Sequence, residues 1–439
     1  MKKILFISYV FPPTGGAGIQ RTVKLLKYTY RLGWEPFVLT TKNPSVPVFD
    51  NGMLKDIPTD VKIFKSITFE IPYSLKRKLW KETVEVNKTY GQNENVHKKS
   101  LLSIFKSLVK KLVHIVMMPD PQVGWNYTAY KTAKKIIEKY HIHYVFISAP
   151  PFSSLLLINK LSNLGVKVVA DFRDEWTEFY LKSYDFHRRD EHTFIKIKNY
   201  EETVMNSASL ITMATQSFVN NYKKTYPVHA KKIKVLTNGF DEDDFSELPS
   251  LKKDDQIFEI SYTGTIFNVT TARYFLQSVE SLLSNNLLNK ELRLNFVGRI
   301  TEDESIYFSN FKFQENLNCT GYVDHVKSIE YLAKTDMLLV IVDELEGSER
   351  IIAAKVFEYI RIGKPILALV PEKGEIAKII HRTNSGTVVS NRNVEAIREA
   401  LIEHINSGIT YQQNEKEILK YSREEIAKQL IEYLEDLNK

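Results

Sequence analysis

Residues 4–39 read ILFISYVFPPTGGAGIQRTVKLLKYTYRLGWEPFVL. The stretch divides into three pieces. Ile4–Val10 is an apolar run without strict alternation, the pattern of a strand covered on both faces. Ile19–Leu32 sets Ile19, Val23, Leu26 and Tyr30 along one helical face, and Gly33 stops that helix. Pro36–Leu39 is the next strand. A strand, a crossover helix and a second strand make one unit of a parallel α/β sheet.

The same rhythm continues along the chain. Strands are predicted at Val61–Phe64, Tyr144–Ser148, Val166–Ala170, Leu210–Met213 and Ile233–Leu236. The pattern pauses at Asn238-Gly239-Phe240-Asp241 and an acidic stretch to about Gln256. It restarts with Phe258–Tyr262, Leu292–Val297, Met337–Val342, Ile366–Leu369 and Gly386–Val389. The economical reading is two doubly wound α/β domains, 1–240 and 257–412, with a charged terminal helix in 413–439 packing across the boundary. A chain of 439 residues is long enough for two cores. In open parallel sheets ligands sit beyond the carboxyl ends of the strands, so residues just after each strand are the first site candidates.

Composition narrows the function classes. The single cysteine, Cys319, excludes an internal disulfide and a thiolate metal cluster and fits a reducing cytoplasm. Phe11-Pro12-Pro13-Thr14-Gly15-Gly16 cuts the first apolar run short, so Ile4–Val10 is read as a strand and not as a secretory signal. No apolar run reaches a membrane-spanning length. The formal net charge is +7, and Ser74–His114, with ten Lys/Arg against three Glu, carries an excess of the same size. The charge is therefore local, which argues for a local contact and against a nucleic-acid-coating surface.

Three motifs follow strands. Pro12–Gly18 combines glycines, which let backbone approach a ligand, with a helix start suited to phosphate; a plain turn explains it equally. Downstream, Arg21 reads as a solvated helix residue before a phosphate ligand. Ala170-Asp171-Phe172-Arg173-Asp174-Glu175-Trp176 sets two carboxylates around an arginine. Such a group can bind hydroxyls or handle a proton, with Arg173 keeping the carboxylates ionised; its acidic residues would also suit a helix start. Ser148-Ala149-Pro150-Pro151-Phe152-Ser153 reads as a rigid turn or a substrate contact. The third motif spans Ala353–Ala368. Lys355 and Glu358 are three apart and share a helix face. The lysine, in the first turn, can meet phosphate beside free backbone N–H groups, and the glutamate can accept from a ribose diol. The spacing alone is that of an ordinary surface pair, but the flanking residues are apolar. Gly363-Lys364-Pro365 ends the helix.

These pieces resemble family 4 glycosyltransferases of the GT-B fold over most of the chain. The resemblance rests on the motifs above with Asn238-Gly239-Phe240-Asp241, Tyr262-Thr263-Gly264-Thr265 and Val297-Gly298-Arg299, in the family's order. It implies two Rossmann-like domains facing across a cleft, an N-terminal acceptor domain and a C-terminal domain for a nucleotide diphosphate sugar. It implies transfer with retention, no cofactor and no metal. By the same resemblance Lys355 contacts phosphate and Glu358 the ribose, with Gly15, Gly16, Gly264, Thr265 and Arg299 along the donor, and Arg173 and Asp174 in the catalytic neighbourhood. There are departures. Arg350 stands where many members carry a second glutamate, with Glu349 one residue earlier. Thr265 and Thr271 stand near the family's Arg and Lys, for which Arg273 is the candidate substitute, and a family histidine is missing near Asp174.

Lys99–Met118 carries an apolar stripe, Leu101, Phe105, Leu108, Leu112 and Ile115, opposite a basic face. That pattern suits either a core-facing helix or an anionic membrane surface, and the charge excess at 74–118 favours the membrane. The resulting expectation is an enzyme at the cytoplasmic face of the cell membrane, adding sugar to a lipid-linked or cell-envelope polysaccharide acceptor, without nucleic acid. A nucleotide-sugar epimerase, a DNA-glycosylating transferase and an inactive sugar-nucleotide-binding relative are the alternatives.

Overall fold

The computed structural model describes residues 2–15, 17–45, 50–70, 117–180, 191–246 and 254–439. Gly16 and the basic stripe of 74–118, up to residue 116, lie outside the described residues. Two compact units are present. One comprises Met1–Met213, Lys223–Lys234 and Ile431–Lys439; the other comprises Ala214–Tyr222 and Val235–Leu430. The last helix, Arg423–Asp436, changes unit after Leu430.

The first unit holds strands β1 (Lys3–Ile7), β2 (Glu35–Thr41), β3 (Lys62–Ser66), β4 (Tyr144–Ala149), β5 (Lys167–Phe172), β6 (Leu210–Met213) and β7 (Ile233–Val235). Their order across the sheet is β3-β2-β1-β4-β5-β6-β7, and the ladders from β3 to β6 are parallel. Ile4, Leu5, Phe6 and Ile7 are all fully buried, as a strand covered on both faces requires. The chain runs outward from β1 to β3 and returns on the other side of β1 with β4. The carboxyl ends of β1 and β4 therefore flank a topological switch point, the usual place for a ligand.

The second unit repeats the plan with β8 (Ile257–Thr263), β9 (Glu291–Val297), β10 (Leu317–Gly321), β11 (Met337–Ile341), β12 (Ile366–Leu369) and β13 (Gly386–Val389). The order is β10-β9-β8-β11-β12-β13, all parallel, so the switch falls between β8 and β11. Side chains alternate across a strand. Met337, Leu339 and Ile341 of β11 enter one apolar layer, with Phe275 and Leu401 from covering helices. Leu338 and Val340, with Val342 just beyond β11, enter the opposite layer, with Val356, Phe357 and Ile380. All twelve predicted strands are present. The addition is β10, whose residues are half-exposed or exposed: at the sheet edge, Leu-Asn-Cys-Thr-Gly lacks the apolar run that marks the others.

Candidate functional site

In the first unit Asp171 lies at the end of β5 with its carboxylate fully buried. Arg21 Nε donates to Oδ2 at 2.8 Å and Nη2 to Oδ1 at 2.7 Å. The hydroxyls of Ser148 and Thr212 add one bond each, both at 2.7 Å. Burial alone would raise this carboxyl; the arginine charge and the two hydroxyls outweigh it and hold Asp171 below the usual carboxylate range. Arg21, read from the sequence as solvated, is 1% exposed. It neutralises an internal carboxylate, so Arg21, not Arg173, keeps Asp171 ionised.

Arg173 is occupied differently. Its Nε donates to the Ala149 carbonyl at 3.1 Å, and its two terminal nitrogens donate to the carbonyls of Gly18 and Pro150. One guanidinium thereby joins the segments following β1, β4 and β5. A side chain at Gly18 has no room, because a Cβ there would meet the Arg173 guanidinium at 2.6 Å. Asp174 is half-buried; burial raises its carboxyl and the Arg173 charge offsets part of that. Glu175, the next residue, is fully buried, and Trp176 stacks on Phe152 at 4.9 Å.

In the second unit the chain leaves β8 at the switch point through Gly264, whose φ of +108° favours glycine. The turn is fixed from several sides. Gly264 N–H donates to Val297 O at 2.8 Å, and Ile266 N–H to Arg299 O at 2.8 Å. The Thr265 carbonyl accepts from the hydroxyls of Tyr262 and Thr270, both at 3.0 Å. Gly298, with φ +143°, packs so tightly on Gly264 that a Cβ would stand 2.1 Å from its carbonyl oxygen. Arg299, Gly264 and Thr265 are exposed.

The helix Lys355–Ile362 follows β11 and faces this turn. Val356, Phe357, Tyr359 and Ile360 are buried in the apolar layer, which fixes the rotation of the helix and leaves Lys355 and Glu358 at its polar margin. The Tyr359 hydroxyl pairs with the end of β8: its oxygen accepts from Thr263 N–H at 2.8 Å. Lys355 Nζ stands 3.4 Å from the centroid of the Tyr262 ring and 3.0 Å from where a Gly264 Cβ would be. Burial pushes the Lys355 amine well below its ordinary range, and Glu358 draws it partly back. The N–H groups of Val356 and Phe357 are already bonded, to Ala353 O and Ala354 O. The expectation of free first-turn donors beside the lysine is corrected for these two.

Glu358 accepts from His325 Nε2 at 2.9 Å. The sequence reading missed His325; its proximity comes from the start of the helix His325–Lys334, a contact no spacing announces. Arg350 pairs with its neighbour Glu349 at 2.9 Å. Arg273 lies against the rings of Tyr274 and Tyr307, without a contact to Lys355 among the described residues. Beyond β11, β12 and β13 opens a depression of about 600 Å³, lined by Glu344, Glu346, Glu349, Glu372, Ser348 and Ser390 among others.

Each unit is thus a parallel, doubly wound sheet with a glycine-bearing turn and charged side chains beyond its switch point. Family models agree: Glycosyltransferase Family 4 matches residues 89–244, and Glycosyl transferases group 1 matches residues 258–407. The chain belongs to the family 4 glycosyltransferases of the GT-B fold. Solved structures share that fold at low identity. A glycosyltransferase from Rickettsia africae ESF-5 is 14% identical, with 100% of this chain and 99% of that chain covered and a TM-score of 0.57. The lipopolysaccharide outer core galactosyltransferase WaaB, in its apo form, is 11% identical, with 99% of each chain covered and a TM-score of 0.59. A variant of S. aureus TarM, in complex with Fondaparinux, alpha-GlcNAc-glycerol and UDP, is 10% identical, with 100% of both chains covered and a TM-score of 0.58. No curated protein sequence matches the chain. Among the described residues no helix is long and apolar enough to cross a membrane.

Proposed function

We propose that the second unit binds a nucleotide diphosphate sugar, with Lys355 on the diphosphate and Glu358 on the ribose. The observation that carries this reading is the Lys355 amine beside Gly264, at the switch point where parallel sheets bind ligands. An amine at a glycine turn leaves room for phosphate oxygens. A glutamate one turn deeper, with one oxygen already bonded, presents its other oxygen to a diol. Thr265 and Arg299 border the same turn. The depression beyond β11–β13, lined by four glutamates together with Lys373, supplies carboxylate acceptors that suit the hydroxyls of a sugar. The UDP in the TarM complex agrees with a nucleotide donor for this fold.

The reaction we infer is transfer with retention, without a metal or cofactor, to a lipid-linked or polysaccharide acceptor of the cell envelope. The bond from the anomeric carbon to the diphosphate oxygen breaks, and the bond to the acceptor oxygen forms on the same face. The acceptor proton passes to the departing diphosphate, whose charge Lys355 stabilises. In the first unit Gly15 and Gly16 belong to the donor-facing turn by the family resemblance. Asp174, whose carboxyl is raised by burial, is the acceptor-side carboxylate, and Arg173 holds its loop. The basic stripe of 74–118 is the proposed contact with anionic lipid at the inner face of the cell membrane.

Incubation with a panel of nucleotide sugars and membrane lipid tests this reading. Sugar appearing in a lipid-linked product with its anomeric configuration kept is expected. Epimerised donor with no transfer, or no turnover with any donor, refutes it. Reversal of Lys98, Lys99, Lys106, Lys110 and Lys111 to Glu is expected to reduce binding to anionic liposomes while leaving donor affinity unchanged.

A further inference from the structure

His325 lies on a different secondary element from the Lys355–Glu358 pair, yet its ring is joined to that pair. Nε2 is 2.9 Å from Glu358 Oε1, and Nδ1 is 4.0 Å from Asp244 Oδ2. The Glu358, His325 and Asp244 side chains are 16%, 24% and 10% exposed, so the arrangement is shielded without being closed. An ionised carboxylate only accepts hydrogen bonds, so Nε2 carries the proton directed at Glu358. The helix start itself is fixed: the Asp324 carboxylate accepts from Lys327 N–H at 2.8 Å, and Ile329 and Leu332 are buried beneath the helix. Glu358 is therefore held between a packed backbone and a histidine that is itself anchored. Its Oε2 makes no hydrogen bond among the described residues.

We infer that His325 is a positioning residue for donor binding. By occupying Oε1 it fixes the glutamate rotamer and leaves Oε2 as the acceptor for the ribose hydroxyls of a nucleoside diphosphate. The reason is physical. A free glutamate side chain loses rotamer entropy when it binds a diol, and a hydrogen bond made before the ligand arrives removes that cost from the binding step. Asp244 Oδ2 stands 4.0 Å from Nδ1, on the far side of the ring. The inference rests on the ribose role proposed for Glu358.

The test uses the full chain and calorimetry with UDP, GDP, ADP and CDP, followed by the 2′,3′-dideoxy form of whichever binds best. Three variants are compared with wild type: H325A, H325Q and E358Q. H325A is expected to weaken the ribonucleotide by about tenfold, the scale of one hydrogen bond to a charged group. Glutamine, whose amide nitrogen reaches the place of Nε2, is expected to restore affinity to within about threefold of wild type. With the dideoxy ligand, H325A and wild type are expected to agree, because the diol through which His325 acts is gone. Should H325A not fold, H325N serves as the loss variant, since its amide does not extend to Glu358. Equal losses by H325A on both ligands, or failure of glutamine to restore binding, overturn the inference and leave His325 a structural residue. If E358Q itself fails to distinguish the two ligands, or wild type binds none of the four nucleotides, the ribose role of Glu358 is wrong and the inference falls with it.

Discussion

The amine of Lys355 rests 3.4 Å above the centre of the Tyr262 ring, on the side of the turn where Gly264 has no side chain. A cation over an aromatic face is attracted to the ring, but an amine withdrawn from water is also easier to deprotonate. Here burial dominates and the Lys355 proton is held less firmly than on a surface lysine, with Glu358 restoring part of the difference.

The first prediction concerns pH. A depressed lysine is cationic below its own shifted value and neutral above it, and a bound diphosphate favours the cation. Affinity for a nucleotide diphosphate sugar should therefore fall as pH rises through a value well below the ordinary lysine range. Binding in that window should take up a proton. Calorimetry in buffers of different ionisation enthalpy measures the uptake, and K355M should abolish it while binding more weakly.

Gly298 makes the second. An alanine there would meet the Gly264 carbonyl oxygen at 2.1 Å, in a backbone conformation of φ +143° that other residues rarely adopt. G298A should cost more than about 2 kcal/mol in urea unfolding and weaken donor binding, because the displaced atom belongs to the proposed donor turn.

The third concerns the buried pair of Arg21 and Asp171. R21M leaves a carboxylate in the core without its counter-charge and should destabilise by about 3–5 kcal/mol, whereas R21M with D171L should recover much of that loss. Asp171 is depressed in the folded state, so its contribution is present above the unfolded carboxyl value of about 3.9 and disappears as pH falls through the folded one. Unfolding curves of wild type and R21M/D171L at descending pH should converge.

For Arg173 the expected effect is local. R173A removes a donor from the carbonyls of Gly18, Ala149 and Pro150, so hydrogen exchange should quicken in the segments after β1 and β4. Nucleotide affinity should fall less than sugar transfer, since Lys355 and Glu358 belong to the second unit while only the Gly15–Gly16 turn adjoins Gly18. Sugar transfer should drop.

Much of this architecture was legible in the sequence. Buried parallel strands announce themselves as apolar runs, and the β11 run, Met-Leu-Leu-Val-Ile, feeds both layers of its sheet. An edge strand does not: β10 has half-exposed and exposed residues and no run to read. Lys355 and Glu358 were visible because they lie one helical turn apart in an apolar frame. Arg21 was misread because its partner stands 150 positions away. His325 was unread for the same reason, 33 residues before the glutamate it meets. Helical spacing reports neighbours on one helix; contacts made by the fold leave no local trace.

If Lys355 and Glu358 together hold the donor nucleotide, titration of wild type, K355A and E358A with UDP, GDP, ADP and CDP under one set of conditions should show it. Wild type is expected to bind at least one of the four, and each substitution to weaken that ligand by about tenfold or more, without altering the folded state seen by circular dichroism. Wild-type affinity in either variant would contradict it.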